Sequence, residues 1–271
     1  MKITAWCIDT FTTTAFKGNP SWVCLIEEQP GHDVMQSIAN ELNCPVTAFI
    51  KKHPGTLHQY DIWYFTPITE IPACGHGTLA SAKFASEQQG AGDSFVFHTI
   101  ENVSIQTVVD NQGSIIMTFP AYQLEHQVVS GSMLSALGLD GYTSAGYAPD
   151  LETLFIELDK AEALRNLEPD YHKMVRSDDK IKEVVITSVS DHPEYDYYLR
   201  SFCPWIGIDE DPVTGSVHGV LGNFWKKKLN KATMIARQAS LRGGDLLITA
   251  FDNRVEIGGT ARILLKGEMD F

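Results

Sequence analysis

The chain has 271 residues, 44% of them hydrophobic and 20% charged, the balance of an ordinary folded protein and enough for two halves of ~130 residues. Its formal net charge of −13 argues against a nucleic-acid binder, since phosphate contacts need clustered Lys and Arg; the short Lys226-Lys227-Lys228 run reads as a solvated helix end. Five cysteines without a CxxC pair give no disulfide framework or metal site, and no apolar run or basic leader suggests a membrane partner or export, so the expectation is a reduced, cytoplasmic protein.

Ile3 to Asp9 reads as a strand, followed by a turn at Gly18-Asn19-Pro20 and a buried strand from Ser21 to Ile26. Met35, Ile38, Ala39 and Leu42 recur at helical spacing after Asp33, and Pro45 stops that helix. Thr47 to Ile50 and His58 to Phe65 are strands around the Pro54-Gly55 turn, and more strand follows near Phe95, at Val103 to Val109 and at Ser114 to Phe119. In the second half, Leu151 to Leu158 and Val184 to Val189 are strand-like, and Leu241 to Phe251 with Arg254 to Leu265 forms an expected terminal hairpin. Pro120-Ala121-Tyr122 is the boundary: residues 1–119 form one half and 120–261 the other, with a last strand near 262–271 free to return to the first.

An internal repeat stands out. Phe65-Thr66-Pro67 leads to Gly77-Thr78 and a helix of small and apolar residues; Phe202-Cys203-Pro204 leads, at nearly the same spacing, to Gly215-Ser216 and another. A helix start leaves backbone N–H groups unpaired and carries partial positive charge, so it can hold an anion, and Gly lets a ligand oxygen approach. Either Gly-Thr or Gly-Ser alone is only a good N-cap. Two in matched order suggest two buried helices, starting near Gly77 and Gly215, whose N-termini face one cleft and bind a small carboxylated metabolite. His76 and Asp211 stand immediately beside these starts, where either can handle a proton. His218, within the second helix, reads as a core histidine.

The chain resembles the PhzF-like (phenazine biosynthesis) family along essentially its whole length. The residues that carry the resemblance are Asp9-x-Phe11-Thr12, Gly18-Asn19-Pro20, Phe65-Thr66-Pro67-x-x-Glu70, Cys74-Gly75-His76-Gly77-Thr78 and Glu210-Asp211-Pro212-Val213-Thr214-Gly215-Ser216. The resemblance implies an α/β fold like diaminopimelate epimerase, with two pseudo-symmetric halves, each a curved mixed sheet around a central helix. It also implies a homodimeric isomerase that moves a proton on a carboxylated substrate without metal or organic cofactor. His76 and Asp211 fall on active-site positions, and Gly75, Gly77, Thr78, Gly215, Ser216 and Asn19 on substrate-contact positions.

One departure alters the reading. The family's acid/base Glu lies in a Ser-Glu-Thr-x-Phe segment, which here reads Pro45-Val46-Thr47-Ala48-Phe49. Val46 cannot transfer a proton. The epimerase alternative, two thiols on opposite faces of the substrate carbon, is met by Cys74 on one side but by Pro212 on the other. Two readings follow: an isomerase or epimerase that relies on Asp211 and His76, or a carboxylate-binding protein that has lost the chemistry.

Overall fold

The computed structural model describes residues 2–89, 93–100 and 103–270; Met1 and Phe271, the outer limits of the expected halves, lie outside them. The chain divides into two units, Met1–Phe119 with Glu256–Phe271, and Pro120–Val255.

In the first unit, β1 (Lys2–Thr10) pairs antiparallel with β2 (Asn19–Leu25), and β2 pairs parallel with β3 (Val46–Lys52). A parallel pair needs a crossover, and α1 (His32–Leu42) supplies it, packing Met35, Ile38 and Ala39 against Cys24, Phe49 and Phe65. Asn43 ends α1 in the left-handed conformation. β4 (Gln59–Phe65) runs antiparallel to β3 and carries the short β5 (Glu70–Ile71) at its end. Next come α2 (Gly75–Gln89), then β6 (Ser94–His98) parallel to β4, β7 (Ser104–Val109) and β8 (Ile115–Pro120).

Strand alternation sends one set of side chains toward α1 and the other toward α2. α2 has no solvent stripe over most of its length: Gly75 to Ala82, then Phe84 to Ser86, are buried. Small residues let β1, β2, β3, β6 and β7 close around it, and its Phe84 ring meets Trp6 of β1 at 4.5 Å. α2 is the central helix of this unit.

The second unit contains β9 (Glu125–His126), α3 (Gly131–Leu137), β10 (Ser144–Ala148), β11 (Thr153–Glu157), α4 (Ala161–Arg165), α5 (Tyr171–Ser177), β12 (Glu183–Val189) and β13 (Tyr197–Cys203). β14 (Ile208–Asp211), α6 (His218–Leu229), β15 (Thr233–Gln238) and β16 (Gly244–Ala250) complete it. β11 and β12 are parallel, β12 and β13 antiparallel, β13 and β15 parallel, β15 and β16 antiparallel. Leu154, Ile156, Val184, Ile186 and Phe202 form a core with α3, α4 and α5. The opposite face holds α6: Trp225 Nε1 donates to Thr187 Oγ1 at 3.0 Å and its ring stacks on Tyr197. The fold is α/β, each unit a mixed sheet around one central helix.

β17 (Arg254–Gly259) and β18 (Ala261–Asp270) return the chain to the first unit, where β18 pairs antiparallel with β1 from Thr10↔Ala261 to Lys2↔Asp270. Three expectations shift. The return begins at Glu256 rather than near 262, because Gly259 already lies against first-unit side chains: a Cβ there would stand 2.5 Å from Phe11 Cδ1 and 2.9 Å from Leu79 Cδ1. The expected terminal hairpin closes at its turn, where Phe251 N donates to the Arg254 carbonyl at 2.9 Å, but its second strand is broken at Thr260 and the part from Ala261 pairs with β1. Finally, α6 begins at His218 rather than Gly215. Tight three-residue bonds from His218 N to Gly215 O (3.1 Å) and from Gly219 N to Ser216 O (3.0 Å) close a lead-in turn first.

Candidate functional site

The sequence-selected residues assemble into one cluster within each unit. In the first, β3 delivers Val46 and β4 delivers Tyr64 to the start of α2. A Cβ on Gly77 would lie 3.0 Å from the Tyr64 ring and 3.3 Å from Val46 Cγ1, so only glycine fits there without a shift. Val46 is 1% exposed and forms an apolar wall at this helix start. Asn19 is buried at the first position of β2, two strands from the Tyr64 side, with its carbonyl accepting from Thr10 Oγ1 at 2.9 Å.

Cys74 caps α2. Its Sγ accepts from Gly77 N at 3.3 Å, and its carbonyl accepts from Thr78 N at 3.0 Å and Thr78 Oγ1 at 2.7 Å. Because the one Thr78 hydroxyl proton goes to that carbonyl, Tyr64 OH donates to Thr78 Oγ1, 2.6 Å away. Thr78, expected at the substrate, is therefore occupied in fixing the helix start. The Gly75 and His76 N–H groups precede any intrahelical acceptor and remain available to an anion. His76 Nδ1 lies 3.3 Å from Cys74 Sγ, and burial lowers its pKa to about 3. At neutral pH His76 is an uncharged imidazole, a hydrogen-bonding group rather than a cationic acid.

In the second unit, β14 ends at Asp211, opposite Ser201 of β13. Asp211 is buried, and its Oδ2 accepts from Thr214 Oγ1 at 2.5 Å. Gln238 of β15 locks the segment: Nε2 donates to the Asp211 carbonyl at 2.7 Å, and Oε1 accepts from Thr214 N at 2.7 Å. The next residues, Gly215, Ser216 and Val217, form the lead-in turn of α6, which places their N–H groups ahead of the helix ladder. Glu210, adjacent in sequence, is held away by Arg200, with Nε–Oε1 at 2.7 Å and Nη2–Oε2 at 2.9 Å.

Glu183 is a residue that the sequence reading passed over. This first residue of β12 accepts a short hydrogen bond from Ser201 Oγ, and its Oε2 lies 3.1 Å from Thr153 Oγ1. Burial, and the negative charge of Asp211, push its carboxyl up to about 7 against the hydroxyl bonds that favour ionisation. Its only sequence signal was a single acidic residue heading the apolar run Val184-Val185-Ile186. Among the described residues, no three His, Cys, Asp or Glu side chains converge as a metal would require, and no helix is long and apolar enough to cross a membrane.

The sequence matches the family described as "Phenazine biosynthesis-like protein" over residues 8–267. A human phenazine biosynthesis-like domain-containing protein is 34% identical, covering 99% of each chain. A protein named as an uncharacterized isomerase, from Halalkalibacterium halodurans, is 36% identical over 99% of each. The crystal structure of an Enterococcus faecalis phenazine biosynthesis protein of the PhzF family superposes with a TM-score of 0.89 at 33% identity, covering 100% of both chains. With the match spanning nearly every element that carries Val46, His76, Asp211 and Gly215, the chain belongs to the phenazine biosynthesis-like, or PhzF-like, family.

Proposed function

We propose that the protein is an isomerase that moves a proton within a small carboxylated metabolite, using its own side chains for acid/base work. The observation that carries this reading is Asp211: a buried carboxyl held by Thr214, the residue that immediately precedes the α6 lead-in turn. A carboxyl so placed can take and return a proton, while N–H groups at Gly215 and Ser216 can hold a carboxylate. Within the first unit, Gly75, Gly77 and Asn19 are the proposed substrate contacts, and neutral His76 is the hydrogen-bonding group. The reaction needs no metal or organic cofactor, and the working form is a cytoplasmic homodimer.

Solvent-deuterium exchange into a panel of carboxylated cyclohexadienes and amino acids tests this. Asp211→Asn should lower the exchange rate by about 10²–10⁴-fold; a variant as fast as the wild type sinks the role of Asp211. A second reading, carboxylate binding without turnover, is favoured by the apolar Val46 at the family's acid/base position. Calorimetric binding of a carboxylate with no exchange of any carbon-bound proton would support it over the isomerase.

A further inference from the structure

The two units share strand order and register, which assigns each residue of one a counterpart in the other. In the first, Ser21 of β2 pairs with Val46, the first residue of β3, and Thr47 pairs with Phe65 at the end of β4. In the second, Thr153 of β11 pairs with Glu183, the first residue of β12, and Val184 pairs with Phe202. These pairings superimpose Phe65-Thr66-Pro67 on Phe202-Cys203-Pro204, the tripeptides of the sequence repeat. Tyr60 precedes Phe65 as Tyr197 precedes Phe202, and each pairs with the parallel strand that follows its central helix. Counted this way, Glu183 stands in the second unit where Val46 stands in the first.

We propose that Glu183 is a second acid/base carboxyl of this chain beside Asp211, acting from the second unit in place of the Glu that the first unit lacks. The proposal rests on the isomerase reading above and names the group that makes it chemically complete.

The surroundings suit a group that exchanges a proton. Val184 and Ile186 enter the core with α3, α4 and α5, so alternation turns Glu183 and Val185 to the α6 face, where Ser201, the partner of Val185, bonds Glu183 and is itself paired with Asp211. Among the described residues, the titratable groups beside it are Asp211 of β14, whose negative charge raises its pKa, and Cys203 of β13, which in turn feels the charge of Glu183. Among the described residues no Lys or Arg pairs with Glu183. Arg200, the guanidinium of β13, is committed to Glu210 and to the Leu164 and Leu167 carbonyls. Nothing cationic holds Glu183 permanently ionised.

The neighbouring hydroxyl serves both protonation states. Thr153 Oγ1 lies 2.8 Å from the Leu151 carbonyl and 3.1 Å from Glu183 Oε2, yet has one proton to give. Donated to Oε2, that proton holds the carboxylate; turned to the nearer carbonyl, it leaves Oγ1 able to accept from a protonated Oε2. The site therefore accommodates the acid as well as the carboxylate, and burial beside Asp211 brings the two forms into balance near neutrality. As carboxylate, Glu183 removes a proton from a carbon conjugated to the substrate's unsaturated acid. The C–H electron pair enters the conjugated system, and the resulting carboxylic acid returns the proton to another carbon, so atoms and charge balance without a co-reactant.

The test combines a titration with an exchange assay. Carbon-13 carboxyl NMR of the wild type should show Glu183 titrating near 7, lower in Asp211→Asn and higher in Ser201→Ala. A Glu183 resonance in the ordinary carboxylate range, indifferent to Asp211→Asn, overturns the proposal whatever the activity. In deuterium exchange on the carboxylated cyclohexadienes, Glu183→Gln should lose about 10²–10⁴-fold and its limb near pH 7, and Glu183→Asp should recover part of the rate. If the wild type exchanges and Glu183→Gln stays within twofold of it, Glu183 is not the acid/base and the isomerase reading survives. If the wild type exchanges nothing in the panel, the isomerase reading fails and this assignment falls with it.

Discussion

The Tyr197 hydroxyl lies 2.7 Å from Nδ1 of His218, and both side chains are fully buried between β13 and α6. Burial lowers His218 to about 3, as it does His76. Each imidazole binds a proton at about 6.5 when unfolded but only near 3 when folded, so the unfolded state holds more protons between those values. Stability is full above about pH 6.5 and falls as the pH drops through this window, by about 1.4 kcal/mol per pH unit for each histidine. Urea melts from pH 4 to 7 should show His218→Gln and His76→Asn each flattening this acid limb by about that slope. A limb of unchanged steepness would mean that the imidazoles are not buried neutral.

Glu183 works in the opposite sense. Its folded pKa of about 7 exceeds the ordinary 4.5, so the native state holds the extra proton. Its contribution is full below about pH 4.5 and is lost as the pH rises to 7, an effect of up to about 3 kcal/mol. Glu183→Gln should therefore gain on the wild type by roughly that amount between pH 4.5 and 8, read from paired urea melts. A pH-independent difference would contradict the raised pKa.

Gly77→Ala should destabilise the fold by about 1–3 kcal/mol through overpacking. The new methyl meets Tyr64, which cannot swing away while its hydroxyl bonds Thr78, and Val46. Adding Val46→Ala removes one of the two crowding groups, so the double variant should be more stable than the sum of the singles, by about 0.5 kcal/mol or more. Strict additivity would show that Val46 does not press on the helix start.

Val46→Glu restores a carboxyl at the family's acid/base position. Folding should cost a few kcal/mol for burying it against Tyr64 and Gly77, and solvent-deuterium exchange should rise at least tenfold. A well-folded variant with unchanged exchange and unchanged ligand binding would place position 46 outside the chemistry.

Local signals served the sequence reading well where a residue's role depends on its neighbours in the chain. Met35, Ile38 and Ala39 specified α1, and the small and apolar residues from Gly77 to Ala85 specified a buried helix, which starts two residues earlier at Gly75. The start of α6 was misplaced because Gly215 and Ser216 first close a tight turn, which the Gly-Ser signal does not distinguish from an N-cap. Strand partners were the larger loss. The sequence allows a last strand near 262–271 to return to the first half, but nothing near Arg254 says that the strand breaks at Thr260 or that its partner is β1. Glu183 was invisible for the same reason: Thr153, Ser201 and Asp211 reach it from three other strands, and only the sheet brings them to one face.

The pairing of β18 with β1 also orders events at the ribosome. Pro120–Val255 is contiguous and can complete its core as soon as its last strand emerges. The first unit, although translated earlier, must wait for β18 to cover the edge of β1, and until then it presents an uncapped strand. At ~5–20 residues added per second, that interval lasts many seconds, so the second unit is finished first and the N-terminal unit is the stretch of nascent chain most in need of a chaperone.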